Sequence, residues 1–466
     1  MSSELHKNLI SVDTFRSLID ICGEENCAFK KEDLVCYGYD ATKKHFMPDA
    51  VVFPKNSFDV ASVMRLANEK KFFVIPRGAG SGMTGGSLPV CGGVVMALTR
   101  LNRIINIDTD NFTAEVEPGV VTGALHETVE KQGLFYPPDP ASSAFSTIGG
   151  NVAECSGGPR AVKYGVTRDY ILGLEVVLPD GNIIHTGVKT AKGVVGYDLT
   201  RLIVGSEGTL GVVTRIIVKL LPLPAAQKTI MVIFNTMEKA AQTVSAIIKS
   251  GIIPRKIEYM DNAAINCAAN FINTDLDTKA GALLLIEVDG SEYETEQQIK
   301  QLNKLCLQTG AKEIKNAATK AEEADLWKAR NSISPALFKY GSFKINEDIV
   351  VPRSKIPDMV SRIEALKKET NLMIITFGHA GDGNIHIDIM LDKNNEKEIK
   401  KGKKAVEAIF DYALELGGTI SGEHGIGITK SAYMPKEIKE VELNLMKKIK
   451  NIFDPKGILN PGKIFI

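Results

Sequence analysis

The chain has 466 residues, 44% of them hydrophobic and 24% charged, and that length exceeds one typical core, so two or three domains are expected. Lysine plus arginine balances aspartate plus glutamate, 56 against 56, which excludes the electrostatic footprint of a nucleic-acid binder and a polybasic membrane anchor. Seven cysteines with no Cys-x-x-Cys pair make neither a disulfide framework nor an iron–sulfur ligand set. No apolar run is long enough to span a membrane, and the first twenty residues carry no secretory h-region. A cytoplasmic protein is expected, with any redox centre supplied by an organic cofactor or a partner.

Residues 1 to about 47 read as helical and polar, with Asp13 as the N-cap of a first helix. A strand at 50–54, a helix over 57–69 and a strand at 72–75 then form a short α/β unit. It runs into Pro76-Arg77-Gly78-Ala79-Gly80-Ser81-Gly82-Met83-Thr84-Gly85-Gly86. Converging glycines let backbone N–H groups approach an anion such as a pyrophosphate. No helix pattern follows, so this is not a Rossmann fingerprint, and no Gly-Lys-Ser/Thr closes it as a Walker loop. A strand at 93–98, the stretches 104–108 and 113–119 and a helix over 121–132 lead to a second loop system, 137–158. Strands at 171–178 and 183–186 follow, then a third glycine-rich loop, 205–211, between apolar strands. Three such loops favour one large cofactor.

Leu220-Leu221-Pro222-Leu223-Pro224 marks a boundary. Beyond it, strands (229–234, 283–288) alternate with helices (237–250, 292–309, 319–332), which predicts an antiparallel α+β domain. A helix over 356–369 precedes Gly378-His379-Ala380-Gly381-Asp382-Gly383-Asn384-Ile385-His386, and a helix over 397–416 precedes Gly422-Glu423-His424-Gly425. Three of the seven histidines fall in these two stretches, a clustering that points to a metal site or an acid/base site.

Five motifs in order carry a resemblance: 76–82, Ile148-Gly149-Gly150-Asn151-Val152-Ala153-Glu154, Gly205-Ser206-Glu207-Gly208-Thr209-Leu210-Gly211, 378–386, and Asp454-Pro455 through Gly462-Lys463. The chain resembles the FAD-binding 2-hydroxy-acid dehydrogenases over nearly its whole length. That family includes the FAD-bearing subunit of glycolate oxidase and the D-lactate and D-2-hydroxyglutarate dehydrogenases. The chain also looks like the flavoprotein subunit of lactate dehydrogenases linked to an electron-transferring flavoprotein. The resemblance implies an α+β, vanillyl-alcohol-oxidase-like fold. A two-part FAD domain, 1–222 completed by 430–466, would carry an inserted cap, 223–429, built on an antiparallel sheet and bearing the metal site.

It further implies FAD held by Pro76, Arg77, Gly78, Ala79, Gly80, Ser81, Gly82, Met83 and Thr84. Pro138, Asp139, Ser142, Thr147, Gly149, Gly150, Asn151, Ala153, Gly158, Tyr164 and Gly165 would line the second part of that site. Glu207, Thr209, Gly211, Val212 and Asn460 would complete it. Ser81 stands where some relatives attach FAD through histidine, so the FAD is expected to be non-covalent, and Cys155 is read as a small packing residue. His379, His386 and Glu423 would hold one divalent metal (Zn, Fe or Mn), with His424 as the base. Arg330, Ser334 and Lys344 are the candidates for the substrate carboxylate, while Asp388 departs from the asparagine of some relatives. Lactate is the first substrate expected. An electron-transferring flavoprotein or an iron–sulfur subunit would be the acceptor, in an oligomeric complex, with glycolate, D-2-hydroxyglutarate and a non-catalytic electron-relay subunit as alternatives.

Overall fold

The structure, a computed structural model, describes residues 10–272 and 276–465. The chain divides into two compact units. The first takes the chain up to Ser156, Val166–Leu223 and everything from Glu423; the second takes Gly157–Gly165 and Pro224–Gly422.

In the first unit, residues 1–9 of the expected helical opening lie outside the described residues, and 10–47 is less helical than its polarity suggests. The helix Val12–Cys22 is capped by Ser11, whose hydroxyl accepts from Thr14 N at 3.2 Å, while Asp13 lies inside the first turn. There its charge favours the helix N-terminus without closing it. A sheet follows in the order Cys27–Ala28, Ala50–Val52, Val94–Ala97, Val74–Arg77, the last three strands parallel. The helix Ser57–Lys70, capped by Asn56, packs Val60 and Met64 into the same core as Val52, Val74 and Met96.

The C-terminal tail closes this core. Val74 N donates to Ile458 O at 2.9 Å and Asn460 N to Val74 O at 2.8 Å, which leaves Leu459 fully buried between them. A second sheet is antiparallel, in the order Ile104–Asp108, Thr113–Val116, Val212–Lys219, Ile171–Val177, Ile183–Gly187.

Two segments expected as loop or strand are helical. Ile148–Glu154 forms a helix despite Gly149-Gly150, because Thr147 caps it (Gly150 N to Thr147 Oγ1, 3.3 Å) and Gly149 packs where a Cβ would stand 2.5 Å from Pro118 Cβ. Leu199–Ile203 is a short helix capped by Asp198, where apolar character alone suggested a strand.

In the second unit, seven antiparallel strands form one sheet among the described residues. Their order is Glu313–Asn316, Ala226–Phe234, Ala282–Gly290, Lys256–Asp261, Met373–His379, Asn384–Leu391, Phe343–Val350. One face, through Ile233, Leu285 and Phe377, packs on the helix Asn262–Ile272 and on Ile333, Ala336 and Leu337. The strand Lys256–Asp261 at the sheet centre and the helix after it have no counterpart among the expected elements.

The tail's role in the first core is measurable. Leu459→Ala is expected to cost about 2–5 kcal/mol in guanidinium unfolding; a loss under about 0.5 kcal/mol would mean that the tail lies outside the cooperative core.

Candidate active site

In the first unit the three glycine-rich loops are tied to one another by the polar side chains expected to line a cofactor. Asn460 Nδ2 donates to Gly86 O (2.9 Å) and Glu207 O (2.8 Å), joining the first loop to the third. Glu207 N donates to Ala153 O at 2.8 Å, and Gly205 N to Val152 O at 2.9 Å, which seats the third loop on the helix Ile148–Glu154. Asn151 Nδ2 donates to Thr122 Oγ1 at 2.8 Å, and Thr209 Oγ1 to Ser206 O at 2.7 Å.

Arg77 is buried, and its Nη2 donates to Tyr39 O at 2.8 Å and its Nη1 to Ser87 Oγ at 3.2 Å. These groups shape the loops. Pro138 meets His126 through its carbonyl, 2.9 Å from Nε2, and Ser142 O accepts from Ser146 N at 2.7 Å. Burial pushes the Cys155 thiol up, so a thiolate is disfavoured there.

The segment bearing His424 is fixed to the same frame. Glu207 accepts from Ile426 N and Gly427 N, each at 2.7 Å, Thr84 Oγ1 donates to His424 O at 3.0 Å, and Ile428 N donates to Thr84 O at 2.8 Å. His424 Nε2 lies 4.0 Å from Glu423 Oε1. Burial, then the Glu207 carboxylate, raises the Glu154 carboxyl far above its usual range, and its Oε2 has no hydrogen-bond partner.

In the second unit the two histidines of 378–386 stand on adjacent strands, with Phe377 paired to His386. Their rings meet edge to face at 85°, and their Nε2 atoms are 3.3 Å apart. The turn between them requires Gly383: at φ 92° a Cβ would come within 2.0 Å of Val351 O. Both histidines are 6% exposed. Gly158, Tyr164 and Gly165 belong to this unit as well, where Tyr164 Oη donates to Asp289 Oδ2 at 2.8 Å. Gly422, one residue before Glu423, donates its N–H to Asp348 Oδ2 at 2.8 Å, and Asp348 is paired with His386.

The expected carboxylate clamp is already engaged. Arg330 Nε and Nη2 lie 2.9 and 2.7 Å from Glu258 Oε2. Lys344 Nζ donates to Ser334 Oγ at 2.9 Å and lies 3.5 Å from Asp388 Oδ1. Asp388 also accepts from Asn346 Nδ2 at 2.6 Å. Sequence reasoning misses Glu258. Its Oε1 lies 2.5 Å from His379 Nδ1, and its signal is an acid inside the apolar run Ile257-Glu258-Tyr259-Met260, since a buried carboxylate needs a partner.

Two family models match: an FAD binding domain at residues 48–187 and the C-terminal domain of FAD linked oxidases at residues 223–464. Glycolate oxidase subunit GlcD of Bacillus subtilis is 44% identical, with 98% of this chain and 97% of that protein covered. A D-lactate dehydrogenase of Anaerostipes hadrus is 37% identical over 95% of this chain and 94% of its own length. The chain belongs to the FAD-binding 2-hydroxy-acid dehydrogenase family. It is an FAD-linked oxidoreductase. The fold is that of the vanillyl-alcohol-oxidase-type FAD enzymes. Substrate-bound p-cresol methylhydroxylase matches with a TM-score of 0.80 and 18% identity, 99% of this chain and 98% of that one being covered. Among the described residues no helix is long and apolar enough to cross a membrane.

The chemistry of both sets of residues is compatible with the groups that the resemblance implies. A Cβ at Gly78 would stand 2.4 Å from Thr147 Oγ1, so the first loop comes against a helix cap as only glycine allows, a setting suited to phosphate. The paired Nε2 atoms, with Glu258 on the far nitrogen of His379, are a donor set for a divalent cation.

Lys463, beside these loops, has a titration of its own. Its Nζ donates to Leu88 O at 2.5 Å, and burial lowers its ammonium from 10.5 to about 8. Below that value the folded protein carries a buried charge that the unfolded chain carries at no cost. The contribution of Lys463 to stability therefore rises as pH climbs through this window. Relative to Lys463→Met, the FAD-free parent should gain up to roughly 3 kcal/mol across the window in chemical unfolding. A difference that stays flat with pH would place the ammonium in solvent.

Proposed function

We propose that the protein oxidises a D-2-hydroxy acid, lactate first, to the 2-oxo acid with FAD held non-covalently and one divalent metal (Zn, Fe or Mn). His379, His386 and Glu423 would hold the metal, and His424 would take the hydroxyl proton. The predicted loop residues of 76–84, 138–165 and 207–212, with Asn460, would enclose the FAD.

The observation that carries the reading is the pair of imidazole Nε2 atoms 3.3 Å apart with a carboxylate on His379 Nδ1. A carboxylate there favours the Nδ1–H tautomer, which leaves Nε2 a lone pair. When bound, FAD would supply a hydride acceptor for the carbon bearing the hydroxyl, and the metal would supply a Lewis acid that makes that hydroxyl more acidic. The protein's part is then to orient the acid and remove one proton. His424 suits that role because Thr84 and Glu207 fix its backbone segment.

The charge pattern also favours a cation. Arg330 with Glu258 and Lys344 with Asp388 are each neutral pairs. An incoming carboxylate meets net positive charge only where a metal adds it. Arg330 Nη1, the nitrogen that the Glu258 pair does not engage, and Lys344 with Ser334 would then orient the substrate carboxylate.

Glycolate is the second reading, favoured by the 44% identity to the glycolate oxidase subunit. The electrons would pass to an electron-transferring flavoprotein or an iron–sulfur subunit in a complex, since the sequence carries no Cys-x-x-Cys pair for an iron–sulfur centre of its own.

Anaerobic mixing of the yellow protein with D-lactate, L-lactate, glycolate and D-2-hydroxyglutarate tests the reading: D-lactate should bleach the flavin fastest. Flavin that none of these acids bleaches sinks it. His424→Ala should keep FAD and metal while reduction slows by about 10²–10⁴-fold, and parent-like reduction would remove His424 as the base. His379→Ala should lose the metal, as read by elemental analysis, and retain its FAD.

A further inference from the structure

Glu258 touches both halves of the proposed site in the second unit. Its strand, Lys256–Asp261, pairs antiparallel with Met373–His379, and Glu258 stands directly across from His379. Its two oxygens serve different partners: Oε1 meets His379 Nδ1 at 2.5 Å, and Oε2 meets Arg330 Nε and Nη2 at 2.9 and 2.7 Å. The side chain is 2% exposed, so neither contact is shared with bulk water.

Contacts continue from Arg330 back to the second histidine. The Arg330 guanidinium carbon lies 4.6 Å from the Phe377 ring centroid, and the Phe377 and His386 rings are 5.4 Å apart. His386 and His379 then meet through their Nε2 atoms. Glu258, Arg330, Phe377, His386 and His379 form a closed ring of contacts, and Glu258 is the member that bonds to two of the others through separate oxygens. Arg330 meets one carboxylate oxygen with two nitrogens and leaves the other oxygen to His379.

We propose that Glu258 is a positioning residue for this site, resting on the metal reading above. It holds the His379 ring as the Nδ1–H tautomer with Nε2 turned toward His386, and it holds Arg330 against Phe377 beside them. Removing its charge leaves the imidazole a weaker donor toward a metal and less firmly oriented. Because the same carboxylate fixes Arg330, its loss also loosens the group expected to meet the substrate carboxylate.

The test is Zn²⁺ affinity of the FAD-loaded protein, measured by competition with a chromophoric chelator, with no turnover required. Glu258→Gln should weaken Zn²⁺ binding by about 10–100-fold while FAD content stays at the parent value. Asp261→Asn is the matched control. Asp261 is buried on the same strand, and its carboxylate is spent on other groups: Oδ2 accepts from Thr376 N at 2.9 Å and Lys367 Nζ at 2.8 Å, and Oδ1 from Ala264 N at 2.8 Å. Its substitution should lower the unfolding midpoint yet leave Zn²⁺ affinity within about twofold of the parent.

If Glu258→Gln does not fold, Glu258→Gln with Arg330→Gln removes both charges, leaves no unpaired ion, and should show the same weakening. Parent-like Zn²⁺ affinity in a folded Glu258 variant overturns the assignment alone. So does an equal loss in Asp261→Asn, which would make the effect one of strand stability. A parent that binds no Zn²⁺, Mn²⁺ or Fe²⁺ overturns the metal reading, and this assignment with it.

Discussion

A carboxylate on a central strand with 2% of its side chain exposed must be paired, because an isolated buried charge costs more than a fold of this stability can absorb. In the second unit that requirement falls on Glu258, and it orders its surroundings. It calls for a cation with planar donors, which Arg330 provides, and for an N–H on its other oxygen, which His379 provides. Two distant stretches of the chain are thereby brought to one point on the sheet. The histidine pair is a consequence of register as well: Phe377 opposite His386 sets His379 past the end of the pairing, where its ring reaches across to its partner.

The first unit solves a different problem, which is to fix three loops to one another. Its solution is carbonyl- and amide-directed side chains. Asn460 near the end of the chain binds carbonyls of two loops, and Glu207 receives two N–H groups of the His424 segment. A group that donates to or accepts from backbone fixes a loop more tightly than side-chain packing does. It also explains why the C-terminal tail belongs to this unit: with Leu459 in the core and Asn460 on the loops, the last residues act as a clasp. Glu154 is the exception, a buried carboxyl with an unpartnered oxygen next to glycines whose added Cβ atoms it would meet.

The sequence made the loops, the histidine motif and the α+β alternation legible because each rests on local signals: glycine clusters, residue spacing and helical periodicity. It hid what depends on distant pairing. Arg330 and Lys344 read as open cations, since nothing local to either announces Glu258 or Asp388 as a partner. The helix Ile148–Glu154 was hidden for another reason: two glycines argue against helix in propensity, and the cap at Thr147 with the close packing of Gly149 on Pro118 outweighs them. The strand Lys256–Asp261 lacks alternation because it is buried on both faces at the sheet centre.

Every 2-hydroxy acid offers the same two handles, a hydroxyl and the carboxylate beside it. In the proposed reading the residues gathered in the second unit address only those handles: a donor pair for a cation, and two ion pairs that are neutral in themselves and leave the net positive charge to that cation. A site of that kind would bind and activate the shared part of lactate, glycolate and 2-hydroxyglutarate alike. Relatives named for glycolate and for D-lactate can therefore both share well over a third of this sequence without either name deciding the substrate. Discrimination has to come from what surrounds the third substituent on the carbinol carbon, hydrogen in glycolate and methyl in lactate. One methyl group in a fitted apolar pocket is worth only about 1–3 kcal/mol, so preference between these acids can turn on one or two side chains outside the charged constellation.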